Sequence, residues 1–171
     1  MNKKEAISVY LVDDDRMFLS SLRNTLTSEF ESELEISTFN NGEECLKNVN
    51  GKPDIVILDY YLNDGDHPDA MDGLKVLREL KKKGSKDLMV IMLSGQDKLQ
   101  VALDSIKNGA YEYVAKSEST FVRLENIIKN AIKSLKSNRE NKLYEKWNII
   151  MGTVIIAILL ADVIYYYLGR T

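Results

Sequence analysis

The stretch Asp54-Ile55-Val56-Ile57-Leu58-Asp59-Tyr60-Tyr61 decides how the rest of the chain is read. Four consecutive aliphatic residues, three of them β-branched, stand between the turn signal Gly51-Lys52-Pro53 and an acidic, Gly-containing loop. A short apolar run with such flanks reads as a strand buried on both faces, as in the centre of a parallel sheet. Asp59 then leaves the sheet at the carboxyl edge of that strand, where open α/β sheets place their chemistry. A carboxylate at that position needs a reason.

Working outward, Ile7–Val12 forms a first apolar strand that ends in three acids, Asp13, Asp14 and Asp15. Phe18, Leu19, Leu22, Leu26 and Phe30 then fall on one stripe of a helix, and Asp15 is placed to cap it. Leu34–Phe39 alternates apolar and polar residues, which predicts a less buried strand at an edge. A short helix through Leu46 and Val49 leads into the strand ending at Asp59. Beyond the acidic loop, Leu74, Val76, Leu77 and Leu80 mark a helix stopped near Gly84. Leu88–Leu93 is a second continuous apolar run, closed by Ser94-Gly95. Leu99, Val101, Leu103 and Ile106 mark a helix ending at Asn108-Gly109. Tyr111–Ala115 reads as a fifth strand ending in Lys116. A long helix follows, with Ser117 or Ser119 as its cap and Phe121, Leu124, Ile128, Ile132 and Leu135 on one stripe. Alternating strands and helices predict an α/β fold, a doubly wound five-stranded parallel sheet with right-handed crossovers.

Composition narrows the function. The 171 residues, 44% hydrophobic and 29% charged, suffice for one ordinary domain and an appendage. A net charge of −3 argues against a generic nucleic-acid binder. The single cysteine, Cys45, excludes an internal disulfide and a multi-cysteine metal site, and reads as a small core residue. Met-Asn-Lys-Lys-Glu-Ala runs straight into the first strand, without the apolar core of a signal peptide.

In a sheet of order 2-1-3-4-5, the ends carrying Asp13-Asp14, Asp59, Ser94 and Lys116 share one edge, near the switch point between strands 1 and 3. Three carboxylates within about 4–6 Å repel one another by roughly several kcal/mol at an effective dielectric near 20. A hard divalent cation among the oxygens relieves that repulsion, and Mg²⁺ favours one or two carboxylates with water and phosphate. An ionised Asp facing Mg²⁺ and a lysine can attack phosphorus and form an aspartyl phosphate. Lys116, the Ser94 hydroxyl and the Gly95 amide would offset or bond the phosphoryl oxygens.

Val12-Asp13-Asp14-Asp15, Leu58-Asp59, Ser94-Gly95 and Tyr113-Val114-Ala115-Lys116, in this order at these strand ends, resemble the receiver domain of two-component response regulators over about residues 6–137. The resemblance implies a CheY-like, flavodoxin-like fold, with Asp59 the phosphoacceptor and Lys116 and Ser94 its catalytic partners. It implies Mg²⁺ held by Asp14 directly, Asp13 through water, Asp59, and the main-chain carbonyl of Tyr61. Ser94 and Tyr113 would be the switch pair, and a histidine kinase or phosphotransfer protein the phosphodonor. Tyr61 and Gln96, two residues beyond the acceptor and the hydroxyl, would flank the hydrolytic water and tune the lifetime of the phosphorylated state. The chain departs from the family in two places. Ser117 follows the site lysine where Pro is usual, and the loop 63–73 is several residues longer than usual, lacks the family's nearby Pro and carries the lone His67. That loop has acidic residues without EF-hand spacing, and reads as a solvated acidic loop.

The tail differs from everything before it. Lysines and arginines crowd residues 136–146, and Trp147–Leu168 is mostly apolar, with Trp147 at one end and Tyr165, Tyr166 and Tyr167 at the other. About 20 such residues span a bilayer as a helix, and aromatic belts favour its interfaces. Eleven aliphatic residues at roughly −0.3 to −0.6 kcal/mol each outweigh one Asp, Asp162, at about +3. The positive flank places the receiver-like part inside the cytoplasm, which predicts a single-pass protein of a bacterial inner membrane. The resulting organisation is 1–137 receiver, 138–146 basic juxtamembrane helix or linker, 147–168 transmembrane helix and 169–171 tail. Asp162 calls for a polar partner from another membrane protein or from a second copy. The basic run reads as a solvated face beside anionic lipid rather than a DNA-binding element. A membrane-anchored phosphoacceptor that switches an interaction face is the first expectation. A receiver-like docking subunit of a membrane complex that works without phosphate is the other. Self-phosphorylation from small donors and self-dephosphorylation are the only enzyme-like activities expected.

Overall fold

The computed structural model describes residues 6–62, 71–95 and 99–168. The strand Ile55–Asp59 (β3) is buried at every position. It lies between Ile7–Val12 (β1) and Met89–Ser94 (β4) in an all-parallel sheet of order β2-β1-β3-β4-β5, with Leu34–Phe39 (β2) and Glu112–Ala115 (β5) at the edges. This is the order the sequence predicts. β2 has the alternating, partly exposed pattern of an edge, and β5 begins one residue later than the apolar run, leaving Tyr111 half exposed.

Alternate residues of the central strands serve opposite faces. Tyr10, Val12, Val56, Leu58, Val90 and Met92 share one core with Cys45 and Val49 and with Val76, Leu77 and Leu80 of Gly73–Lys83 (α3). Burial, with the charge of Glu44 adding to it, pushes the Cys45 thiol up to about 12, so it is an inert core residue. Val9, Leu11, Ile57, Ile91 and Leu93 point the other way and are equally buried. That side is closed by Arg16–Phe30 (α1), through Leu19, Leu22, Leu26 and Phe30, and by the first turns of Thr120–Leu168 (α5), through Leu124, Ile128, Ala131 and Ile132.

Local chemistry sets the helix limits. Asp15 caps α1, accepting from the amides of Met17 and Phe18 at 2.9 and 3.0 Å. Asn41 caps Gly42–Asn48 (α2), accepting from Glu44, and Asp72 caps α3, accepting from Lys75. Gly84 closes α3 with its amide on the Leu80 carbonyl. Leu99–Lys107 (α4) stops at Gly109, whose φ of +92° lies in the left-handed region that glycine tolerates. Before α5, Ser119 supplies its carbonyl to the Arg123 amide, while the Ser117 and Ser119 hydroxyls bond each other.

The apolar stripe on α4 points outward. Val101 and Ser105 carry the buried face, and Leu99, Leu103 and Ile106 are exposed. The Ser105 hydroxyl bonds the Val101 carbonyl at 2.7 Å, so a polar residue one turn along is accommodated in the core and the larger side chains are left for the surface.

The chain divides into two units, residues 1–132 and 133–171. The second unit, as far as it is described, is helix. Its side chains from Trp147 to Leu160 are exposed apart from Gly152, and this is the one helix among the described residues long and apolar enough to cross a membrane. An exposed apolar surface of that extent requires a cover.

Candidate functional site

Strand register builds the site. Val12 pairs with Leu58, so the residues after them, Asp13 and Asp59, emerge side by side. Asp59 pairs with Leu93 and Ser94 with Ala115, which sets Ser94 and Lys116 at the same edge. The Asp13 amide donates to the Phe39 carbonyl and the Lys116 amide to the Ser94 carbonyl at 2.7 Å, so the backbone is fixed just past the strands. Asp13, Asp59 and Ser94 are buried, and Asp14 is half-buried.

One ammonium group ties the carboxylates together. Lys116 Nζ donates to Asp13 Oδ2 at 2.7 Å and lies 3.1 Å from Asp59 Oδ1. The second contact is an ion pair off the line of a hydrogen bond, and Asp59 Oδ1, fully buried, accepts none. The other oxygen of Asp13 accepts from the Asp15 amide at 3.0 Å. Burial pushes the Asp59 carboxyl up to about 6; Lys116 opposes that rise, and Asp13 and Asp14 add to it. Asp13 is raised as well, by burial first, against its bond to Lys116. Burial alone would lower the Lys116 pKa, but the bond to Asp13 and the charge of Asp59 outweigh it, and the ammonium is held protonated.

Asp13, Asp14 and Asp59 each present an oxygen within 4.8 Å of the others. A buried carboxylate oxygen with no hydrogen bond, in a set made only of hard oxygen donors, fits a small divalent cation such as Mg²⁺. Bound there, the ion would supply positive charge against the carboxylates and an attached phosphoryl group. The sequence-derived residues Asp13, Asp14, Asp59, Ser94 and Lys116 are therefore together. Tyr61 stands two residues past Asp59, its ring edge-on to Tyr60 and 40% exposed. Tyr113 is half-buried against the core. Gln96 and the loop residues 63–70, including His67, lie outside the described residues.

A family profile described as response regulator receiver domain matches residues 9–129. The chain belongs to the response regulator receiver family. It is 30% identical over 153 residues to an NtrX-like response regulator from Rickettsia felis, and 31% identical over 111 residues to response regulator MprA from a Mycobacterium species. Those matches take in 85% and 64% of this chain but only 30% and 44% of the relatives, so the chain spans less than half the length of either. Among solved structures, the receiver domain of NtrX from Brucella abortus superposes with a TM-score of 0.62 at 28% identity, covering 73% of this chain and 98% of that one. A CheY-like receiver from Methanospirillum hungatei gives 0.62 at 25% identity, covering 78% and 99%. Receiver domains work with histidine kinases or phosphotransfer proteins in two-component signalling and hold Mg²⁺ in an acidic pocket of this kind.

Sequence reasoning missed three residues that shape this receiver site. A Cβ on Gly73, the first residue of α3, would sit 2.1 Å from the Asp59 carbonyl oxygen, so only glycine permits that approach. The signal was a glycine next to a capping Asp, at a position where glycine weakens a helix. Thr120 holds the turn after Lys116, its hydroxyl accepting from the Ser117 amide at 2.6 Å. Phe18, read as part of the α1 core stripe, is half-buried beside Lys116.

Proposed function

We propose that this chain is a membrane-anchored response regulator that accepts a phosphoryl group on Asp59. The observation that carries the reading is the Lys116 ammonium bridging Asp13 and Asp59 at the edge where Ser94 also ends its strand. In the proposed step an Asp59 carboxylate oxygen bonds to phosphorus. The bond from phosphorus to the donor breaks, and the donor leaves with the electron pair, as phosphohistidine nitrogen or as the carboxylate of an acyl phosphate. Asp13, Asp14, Asp59 and the Tyr61 carbonyl are the proposed Mg²⁺ ligands. Lys116, already charged and anchored on Asp13, meets the negative charge developing on the phosphoryl oxygens. The Ser94 hydroxyl donates to one of them, and Tyr113 follows it inward as the second switch residue.

The signal is the new charge at the sheet edge, and the proposed output is a changed surface over α4, β5 and the start of α5. The exposed Leu99, Leu103 and Ile106 on α4 give that surface apolar contacts to offer or withdraw. Phosphate comes from a histidine kinase or phosphotransfer protein, with small acyl phosphates as substitutes. Residues 147–168 are the proposed anchor, with the receiver on the side of the Lys- and Arg-rich run, the cytoplasm of a bacterial inner membrane. Asp162 is proposed to meet a polar group of another membrane helix or of a second copy.

Incubation with acetyl phosphate and Mg²⁺, read by intact mass, tests the acceptor. The wild-type chain is expected to gain one phosphoryl group and Asp59→Asn none; equal labelling of the two would refute the assignment. Retention of the chain in bacterial membranes after alkaline carbonate washing tests the anchor, and release into the supernatant would refute it.

A further inference from the structure

The side chain of Lys116 leans on an aromatic face. Its Nζ lies 4.6 Å from the centroid of the Phe18 ring, and Phe18 in turn packs against Phe121 with centroids 5.6 Å apart. An ammonium has three hydrogens to place. One goes to Asp13, the charge lies 3.1 Å from Asp59 Oδ1, and the aromatic face stands beside the ammonium where water would otherwise hydrate it. Only 23% of the Lys116 side chain is exposed, and a partly desolvated cation gains more from a ring than one in open water.

The ring belongs to a closed circuit of contacts. Asp13 Oδ1 accepts from the Asp15 amide, and Asp15 Oδ1 accepts from the Phe18 amide. The Phe18 ring faces Lys116, and Lys116 returns to Asp13 Oδ2. The acid that binds the lysine therefore also fixes, through one helix cap, the ring that supports it. On the lysine's own segment the main chain is fixed separately. The Lys116 amide bonds Ser94, the Ser117 amide bonds Thr120 Oγ1, and the Thr120 hydroxyl donates to the Ala115 carbonyl. Ser117 stands where the family usually has proline, so a hydrogen-bonded turn sets the lysine backbone here. That turn says nothing about where a long, flexible side chain points.

We propose that Phe18 is a positioning residue, an aromatic seat buttressed by Phe121 that aims the Lys116 ammonium between Asp13 and Asp59 and so speeds phosphoryl transfer. The rate part rests on the reading of Asp59 as phosphoacceptor; the seat itself does not. A seated ammonium is already in place when charge develops on the phosphoryl oxygens, and an unseated one must first give up competing positions.

The full chain in a mild detergent, labelled with ¹³C at the lysine Cε, tests both parts. The Lys116 methylene signal, assigned by its loss in Lys116→Arg, is expected upfield of the other lysines because it lies over the ring. Phe18→Leu is expected to return it to the ordinary lysine position and to slow labelling by acetyl phosphate about five- to tenfold. Phe18→Tyr keeps the aromatic face and is expected to preserve both the shift and the rate. Phe18→Met replaces Phe18→Leu if the latter melts below the assay temperature. A wild-type Lys116 signal among the ordinary lysines overturns the seat, as does a Tyr variant as slow as the Leu variant. Labelling of the Leu variant at the wild-type rate overturns the rate part. A wild-type chain with the upfield signal that accepts no phosphoryl group supports the seat and overturns the phosphoacceptor reading alone.

Discussion

Replacing Asp59 with asparagine is expected to stabilise the receiver fold when Mg²⁺ is withheld. Burial raises this carboxyl from the ordinary 3.8 to about 6 in the folded chain. Below about pH 4 both folded and unfolded chains hold the proton. Between about pH 4 and 6 the unfolded chain gives it up while the fold retains it, so stability falls as pH rises through that window and stays reduced above it. At ~1.36 kcal/mol per pH unit, that rise makes the ionised side chain a liability of roughly 3 kcal/mol at neutral pH, with the attraction to Lys116 already counted in it. Asparagine keeps the volume and sheds the charge, but its amide must still be accommodated among the site's polar groups. A net gain of about 1–3 kcal/mol remains, which is several degrees of Tm in a chain of this size. Thermal melts of the full chain in mild detergent with EDTA at pH 7.5 measure it, and a wild-type series from pH 4 to 7 checks the window. Asp13 is raised too and acts in the same direction, so the wild-type slope exceeds what Asp59 supplies alone. Adding Mg²⁺ is expected to raise the wild-type Tm more than that of the variant. An Asn variant that melts below wild type in EDTA, or a wild-type Tm flat across that pH range, would refute the reasoning.

Three further outcomes follow from particular side chains. Tyr61→Gly removes the ring expected to hinder in-line attack by water, and the aspartyl-phosphate half-life should shorten about tenfold or more; an unchanged half-life ends that proposal. Gly73→Ala forces a methyl group into the Asp59 carbonyl, and should cost about 1–3 kcal/mol or more in denaturant melts while lowering labelling by acetyl phosphate; wild-type values for both would show that α3 shifts freely. Asp162→Leu should keep the chain in the membrane but reduce its complexes in native gels of detergent-solubilised membranes, and unaltered complexes would remove the case for a polar partner.

The fold was readable because two signals agreed. Continuous apolar runs such as 55–58 and 88–93 mark strands buried on both faces, and helical stripes such as Leu19, Leu22 and Leu26 occur between strands. Register then made the site readable, since residues just past Val12 and Leu58 must be neighbours in a parallel pair. What stayed hidden depends on contacts across the chain. Phe18 has the spacing of a core residue, and only the return of Lys116 from the fifth strand shows its second use. Leu99, Val101, Leu103 and Ile106 marked a helix but not which side of it meets the sheet. There, Val101 and Ser105 do. Gly73 looked like part of a loop because the approach of α3 to the end of β3 shows locally only as a glycine beside a capping Asp.

The anchoring of Gly73 has a consequence for the residues before it. Its amide donates to the Tyr60 carbonyl at 3.0 Å, and the Met71 amide is held by Glu43, so the chain leaves the sheet edge and is clasped again at nearly the same point. The main chain on either side of residues 63–70 is therefore held by contacts made outside them. Doubling the length of a loop whose ends are already held costs only about 0.6 kcal/mol of closure entropy. Changing the number of residues between 63 and 70 is therefore expected to leave Asp13, Asp14 and Asp59 at their present spacing, because the contacts that set that spacing lie in the strands and in Lys116.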